Sequence, residues 1–423
     1  MDEVAQLYDD QHRPAGTAPR SRVRRENLRH GATGVVVRDR LGRVYVHRRT
    51  DTKDVYPGLY DFAAGGVILA DETPDDSARR EAAEELGVTG ASLRRIGVAE
   101  YGDEQTRYVS FQYEVTYDGP IRWQPEEVAW GTWMTLEELS ERLRDPEWSF
   151  VPDSRAMIGP WLAGRLAERV AVDDGWDCRV DLVEGRWVDR FPRREEVREW
   201  LLAETRLMPR LEALLPLQVP VPGVLVDEPL CVRHRIVTGE PVTADSTAEE
   251  GARLGAFLRA LHDAPVTAAD GTGVRDAAAS GRELHALLTR FAAEVRPRLP
   301  ADLHPAADDL LSRVRDAPRT TIVHGDLGPQ HVLRTDDAVS GVIDWADAHV
   351  GDPAIDLAWA LNGAGSAFAA GVAEAYVVAD DVRRRAHDWH LLGPWHEVTY
   401  GLDTGRDDLV ASGLRGVVRR LRV

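Results

Sequence analysis

Two domains, one α/β and one α+β, are what this sequence predicts, and three observations lead there. The chain has 423 residues, more than one hydrophobic core ordinarily serves. Strand-like and helical periodicities alternate in two separate stretches, one closing near Gly164 and one opening at Cys178. Each stretch also carries its own cluster of acidic residues at fixed spacing. We place the first domain at residues 1–165 and the second at 166–423, the latter divided into a small lobe (about 166–240) and a large helical lobe (about 241–423).

In the first stretch, the apolar runs Thr33–Val37 and Val44–Val46 flank the turn Asp39-Arg40-Leu41-Gly42 and predict a strand-turn-strand unit. A charged helix is expected over 74–86, strands at Tyr108–Val115 and Trp130–Met134, and a helix over Leu136–Leu143 capped by Thr135. In the second stretch, Cys178–Val183 and Arg186–Phe191 read as strands and Arg194–Leu215 as a helix. An extended turn follows at Pro220-Val221-Pro222, then a strand over Leu230–Val237. Beyond Thr247 the spacing is helical, broken by short strands around Thr320–Val323 and Val342–Asp344, and the small residues of Ala268–Gly281 predict a mobile loop.

Hydrophobic residues at 43% and charged residues at 29% describe a globular protein, and no apolar run is long enough to span a bilayer. The acidic start Met1-Asp2-Glu3 lacks the order of a secretory signal, so a cytoplasmic location is expected. A formal charge of −19 repels nucleic-acid phosphates, which leaves small molecules as the expected partners, with neither nucleic acid nor membrane among them. Cys178 and Cys231 are too few for a disulfide framework or a zinc cluster. Lys53 is the only lysine, so 51 of the 52 basic residues are arginine, and any phosphate clamp in the second domain has to be built with guanidinium.

Glu81, Glu84 and Glu85 stand at i, i+3 and i+4, which puts three carboxylates on one helical face about 5–6 Å apart at Cβ. Like charges so placed repel unless a cation sits among them, and hard oxygen ligands suit magnesium or manganese. A solvated acidic face is the competing reading of three such glutamates alone. The wider spacing decides between them: Gly66–Val88 resembles the Nudix box, G-x5-E-x7-R-E-U-x-E-E-x-G-U, at every fixed position, with Ala82 a small residue at the first apolar (U) position.

The resemblance implies an α/β/α sandwich with metal ligands at Glu81, Glu84 and Glu85, of which Glu84 and Glu85 also serve catalysis. It further implies a supporting pair of Glu72 and Arg80, and Gly66 as a ligand through its carbonyl. Glu127 stands where many relatives supply a further carboxylate, with plain surface charge as the other reading. The segment Lys53–Phe62 is similar to the branch containing isopentenyl diphosphate isomerase, whose chemistry needs a cysteine. Both cysteines here lie beyond residue 165, so diphosphate hydrolysis is the expected activity.

The second cluster is Thr321–Leu333, containing His324-Gly325-Asp326 and His331, followed by Gly341-Val342-Ile343-Asp344-Trp345. Phosphoryl transfer needs a carboxylate to take the proton of the attacking hydroxyl, which suits Asp326, and ligands for a nucleotide-bound metal, which suit His331 and Asp344. With Gly351–Ala358 these segments resemble the aminoglycoside phosphotransferase and choline kinase superfamily, which implies a bilobal protein-kinase-like fold over roughly 170–423. His331 stands where most of that superfamily has asparagine, as in macrolide phosphotransferases. The resemblance implies ATP or GTP as donor with Mg2+ (or Mn2+), supporting roles for His324 and Asp356, and nucleotide contacts from Gly175, Arg190 and its partner Glu204. Asp189, a charge in an apolar strand, departs from the pattern.

For the acceptor site, Trp389, Trp395, Glu397, Tyr400, Asp403 and Asp407 are candidates. An acid-rich pocket would suit a polyamine sugar, and an apolar one with a single acid a macrolide. The expectation is a small-molecule O-phosphotransferase fused to a Nudix hydrolase. The alternative is that one domain is a non-catalytic binding or docking module beside a single enzyme.

Overall fold

A computed structural model describes residues 2–172, 177–336 and 338–422. By its internal contacts the chain divides into two compact units, Met1–Val172 with Asp181–Trp187, and Asp173–Val180 with Val188–Val423.

The first unit is built on a mixed eight-stranded sheet. Its central strand, His30–Arg38, runs parallel to Arg107–Thr116 in register from His30 opposite Tyr108 to Arg38 opposite Thr116. Strand Val44–Arg49 continues the sheet to Val128–Met134 by antiparallel pairing. Alternate residues of the central strand face opposite sides. Val35 and Val37 pack with Ala78, Ala82 and Leu86 of helix Pro74–Leu86. Val36, with Val44 and Val46, packs instead against Leu139 of helix Leu136–Arg142 and Ile158 and Leu162 of helix Pro152–Ala167. Helices therefore cover both faces, the expected sandwich. Three elements are additional to the expected ones at the amino-terminal end: strands Val4–Tyr8 and Pro14–Pro19 and the helix Arg20–Glu26. Strand Leu93–Gly102, antiparallel to Arg107–Thr116, is a fourth.

His30 is buried at the start of the central strand, and its Nδ1 donates to the Leu28 carbonyl at 3.0 Å. Burial pushes its pKa down to about 4, against about 6.5 for a free imidazole. Between those values the unfolded chain takes up a proton that the folded chain refuses. The stability this histidine supports is therefore complete above about pH 6.5 and is lost as pH falls toward 4, by at most about 1.4 kcal/mol per pH unit. Thermal unfolding between pH 7.5 and 5 is expected to show that slope, and His30→Gln to lose its share of it.

The second unit contains strands Cys231–Arg235 and Gly223–Val226 in antiparallel pairing, after the helix Glu195–Leu211. The strands expected at Cys178–Val183 and Arg186–Phe191 are present as Cys178–Val183 and Trp187–Pro192, with Asp181–Trp187 counted in the first unit. The rest is mainly helical, with two small sheets, one of Glu240–Pro241, Val332–Thr335 and Ala338–Val342 and one of Thr321–Val323 and His349–Gly351. Helix Ala248–His262 buries Leu254, Phe257 and Leu258 against Phe368 and Val372 of helix Ser366–Tyr376, in one core with Ile322, Val332, Val342 and Trp345. A separate core joins Phe291, Leu310 and Val314 to Leu392, Trp395 and Val398 of helix Asp380–Thr404. The mobile loop expected at Ala268–Gly281 is corrected. Thr272 is fully buried, Arg210 donates to the carbonyls of Ala268 and Asp270, and helix Ala277–Arg290 starts inside the segment, with Asp276 accepting from the amides of Ala278 and Ala279. Among the described residues no helix is long and apolar enough to cross a membrane.

Candidate functional sites

In the first unit, helix Pro74–Leu86 begins at Thr73, whose hydroxyl accepts from the Asp76 amide, and stops at Gly87 in the left-handed region. Its inner face presents Glu81 and Glu85 to the Gly65-Gly66 turn. A Cβ on Gly66 would lie 2.3 Å from Glu81 Oε1, so the absence of a side chain there is what lets the carboxylate approach. The Gly66 carbonyl accepts from Thr33 N–H at 2.9 Å and keeps one lone pair.

Two cations divide the acids between them. Arg80 grips Glu72 through two nitrogens at 2.6 and 2.9 Å and reaches Glu81 at 2.7 Å and Glu84 at 3.2 Å. Lys53 Nζ lies 2.8 Å from Glu127 Oε2 and 3.6 Å from Glu85 Oε1. Glu85 is 2% exposed, and its other oxygen accepts from Gly65 N–H at 3.0 Å. Burial pushes the Glu85 carboxyl up to about 8, opposed by Lys53 and reinforced by Glu127 and Glu81. Burial also raises Glu127, but Lys53 and Glu85 outweigh it and hold Glu127 below the usual range.

Among the described residues no group of three or more His, Cys, Asp or Glu side chains is preassembled for a metal ion. The donor chemistry nonetheless fits a hard divalent cation. Glu85 is buried and Glu81 nearly so, both held beside further acids and raised by that burial, so each is costly to keep charged without a cation.

In the second unit, strand Thr321–Val323 delivers the chain into His324-Gly325-Asp326. Gly325 has φ +89°, and a Cβ there would lie 2.4 Å from the Asp347 carbonyl oxygen. The turn is fixed from beneath by Asp356, fully buried, whose two oxygens accept from the amides of His324 (2.8 Å) and Gly325 (2.9 Å). His262 Nε2 stands 3.1 Å from the same carboxylate. Burial raises the Asp356 carboxyl, but these bonds outweigh it and hold its pKa below the usual range.

His331 Nδ1 donates to the Asp326 carbonyl at 2.7 Å, which fixes the tautomer: when neutral, its Nε2 carries the lone pair. That lone pair faces Asp344 Oδ2 at 3.4 Å, and Asp344 is held in the left-handed region at φ 67°. Two acceptors turned toward one another fit a cation, or a proton, between them. The Asp326 carboxyl is 62% exposed and its pKa is raised by partial desolvation, against the pull of His331.

Arg190 and Glu204 meet in a buried ion pair. The preceding Asp189 points to the other face of its strand and is taken by Arg233 at 2.5 and 2.8 Å, so the charge that departs from the expected apolar pattern is internally paired. Gly175 lies outside the described residues.

Beside Asp326 opens a cavity of about 920 Å³, bounded by helices Ala277–Arg290 and Asp380–Thr404. Of the acceptor-site candidates only Trp389 lines it. Trp395 is fully buried in the core and Asp403 pairs with Arg290 at 2.5 Å. Lining residues that the sequence did not single out include Arg275, Glu283, His349 and Trp359. Their signal is weak because they come from four separate elements.

A model of the phosphotransferase enzyme family, APH, matches residues 168–390, and a model of the NUDIX domain matches 28–154. The chain belongs to both the APH and the Nudix families. Over the Nudix part it is 44% identical to an uncharacterized Nudix hydrolase, orf19, of Rhodococcus erythropolis, across 38% of this chain and 92% of that protein. It is 37% identical to the uncharacterized Nudix hydrolase YfcD of Escherichia coli (strain K12), across 40% of this chain and 92% of that one. Over the APH part it is similar in fold to the GDP complex of an aminoglycoside 2'-phosphotransferase-IIIa, with a TM-score of 0.53 and 22% identity, covering 60% of this chain and 92% of that one. A GDP and kanamycin complex of an APH(2") enzyme gives a TM-score of 0.54 at 22% identity, covering 63% and 98%.

Both domains thus belong to enzyme families. In the Nudix domain the acids gather around the Gly65-Gly66 turn. In the APH domain Asp326 lines the cavity, and the His331 imidazole stands between it and Asp344, which follows strand Ala338–Val342.

Proposed function

We propose that the APH domain transfers the γ-phosphoryl group of ATP or GTP to a hydroxyl of an antibiotic-like small molecule, of macrolide or aminoglycoside type. We propose too that the Nudix domain hydrolyses a nucleoside diphosphate-linked or other diphosphate. The boundary between the two activities lies near residue 166. The observation that carries the kinase reading is Asp326 at the edge of the large cavity, on the loop where His331 turns its lone pair toward Asp344.

Asp326 accepts the hydroxyl proton as the acceptor oxygen bonds to phosphorus and the bond to the leaving diphosphate breaks. Asp356 positions this loop through the His324 and Gly325 amides. Arg190, held by Glu204, is the proposed partner of the donor's phosphates. His331 and Asp344 would hold Mg2+ or Mn2+, which when bound neutralises phosphoryl charge. In the Nudix domain Glu81, Glu84, Glu85 and Glu127 would hold the corresponding ion, with Glu84 and Glu85 orienting and deprotonating the attacking water.

The cavity favours the macrolide type over the polyamine type. Three of its four acids face arginines, Asp352 facing Arg385 at 3.0 Å and Glu283 and Asp347 facing Arg275 at 3.0 and 3.6 Å, and the fourth, Asp326, is the proposed base, which lowers the negative charge offered to a polyamine. A screen for transfer of labelled γ-phosphate to macrolides, aminoglycosides and nucleoside antibiotics tests the reading. Magnesium-dependent labelling of a macrolide is the expected result, and such a kinase would inactivate an antibiotic. Labelling of no hydroxylated acceptor, with or without magnesium, would overturn it.

A further inference from the structure

We propose that Lys53 is an internal cation of the Nudix carboxylate cluster, filling the place between Glu85 and Glu127 that a divalent ion would otherwise take, so that metal binding has to displace it. The proposal rests on the reading that this cluster binds metal.

Glu85 has two oxygens and almost no access to water. One oxygen is committed to Gly65 N–H, and the other, Oε1, faces the Lys53 ammonium at 3.6 Å. Glu127 Oε2 lies 2.8 Å from the same ammonium. The lysine side chain is 18% exposed, so this is no loose surface pair. Two carboxylates this close are costly to charge together unless a cation lies between them, and here that cation belongs to the chain.

The two cations of the cluster differ in how they can leave. Arg80 is bound in several directions at once, to both oxygens of Glu72, to Glu81, to Glu84 and to the Val67 carbonyl. A rigid fork so engaged has no second arrangement available. Lys53 carries a compact charge on a flexible stem, and swinging away costs it only the two carboxylate contacts. In a chain whose other 51 basic residues are arginine, the exchangeable cation is the one lysine. Until it moves, the Glu85 and Glu127 oxygens are not free for another cation.

Two readouts on the full-length protein test this without assaying hydrolysis. The first is Mn2+ binding, followed through the spin-resonance signal of the free ion, for wild type, Lys53→Gln and Lys53→Arg. Lys53→Gln is expected to bind Mn2+ at least about tenfold more tightly than wild type, and Lys53→Arg to stay near wild type, because removing a positive charge from the site removes its repulsion of the incoming ion. Equal affinity in wild type and Lys53→Gln would overturn the proposal. The second uses the unmutated protein, in case Lys53→Gln does not fold. Lys53 is the only side-chain amine, so its acetylation by an N-hydroxysuccinimide ester can be timed by peptide mass spectrometry. Saturating Mn2+ is expected to speed that acetylation severalfold, and an unchanged rate would overturn the proposal. If no Mn2+ site is lost on changing Glu84 and Glu85 to glutamine, the metal reading of the cluster falls and this inference falls with it. Loss of that site with no effect of Lys53→Gln sinks this inference alone.

Discussion

Asp326→Ala is expected to lower phosphoryl transfer by about 10²–10⁴-fold, the usual contribution of a positioned general base, while diphosphate hydrolysis by the same preparation continues. The variant is a clean one. Asp326 exposes 62% of its side chain, and the hydrogen bonds that shape its loop are made by backbone atoms and by Asp356 and His331, so nothing buried loses a partner. The change in stability is expected to stay within about 0.5 kcal/mol. Initial rates of labelled phosphate transfer, with a thermal melt as control, check both statements. A variant that melts like wild type and still transfers at an unchanged rate would remove Asp326 from the reaction.

Glu84→Gln combined with Glu85→Gln is expected to do the reverse, reducing diphosphate hydrolysis by about 10³-fold or more and leaving transfer intact. Glutamine keeps the shape of both side chains, and at position 85 its carbonyl can still accept from Gly65 N–H. What it removes is the capacity to present negative charge to a cation. Burial already pushes the Glu85 carboxyl up to about 8, so a neutral side chain there costs the metal-free fold little, and the melting temperature is expected not to fall. Hydrolysis followed by phosphate release, on a panel of nucleoside and non-nucleoside diphosphates, measures the loss. It also ranks substrates for the wild-type domain.

The parts of the fold that could be read in advance are those where local chemistry and tertiary demand agree. Helix Pro74–Leu86 has a threonine cap, a proline in its first turn and a glycine stop, so its ends are written in side chains. The turn at His324–Asp326 is likewise legible because its glycine is the residue that the left-handed backbone there requires.

Elsewhere the two diverge. Strand Pro14–Pro19 is short, exposed and proline-bounded, and takes its shape from pairing with Val4–Tyr8 rather than from propensity. Strand Leu93–Gly102 is half-exposed along much of its length, which blurs the alternation that marks a strand. The small residues around Ala268–Gly281 suggested mobility, yet alanine is also the strongest helix former, and a single aspartate at position 276 is enough to start the helix there.

The cavity beside Asp326 was the least legible feature. Trp389 and Trp395 sit six positions apart on one helix, about 240° around its axis, so one lines the cavity and the other is buried in the core. That helix is buried on more than one face, and its sequence does not say which tryptophan looks where.

One crossed measurement bears most directly on the claim that this polypeptide holds two independent phosphoryl-chemistry sites. A donor nucleotide, a hydroxylated acceptor and a diphosphate are mixed with full-length protein and magnesium, and both reactions are followed together by phosphorus NMR. The account predicts that Asp326→Ala silences the acceptor's new phosphate signal alone and that the paired glutamine variant silences diphosphate cleavage alone. Either variant abolishing both signals while still melting like wild type would contradict it.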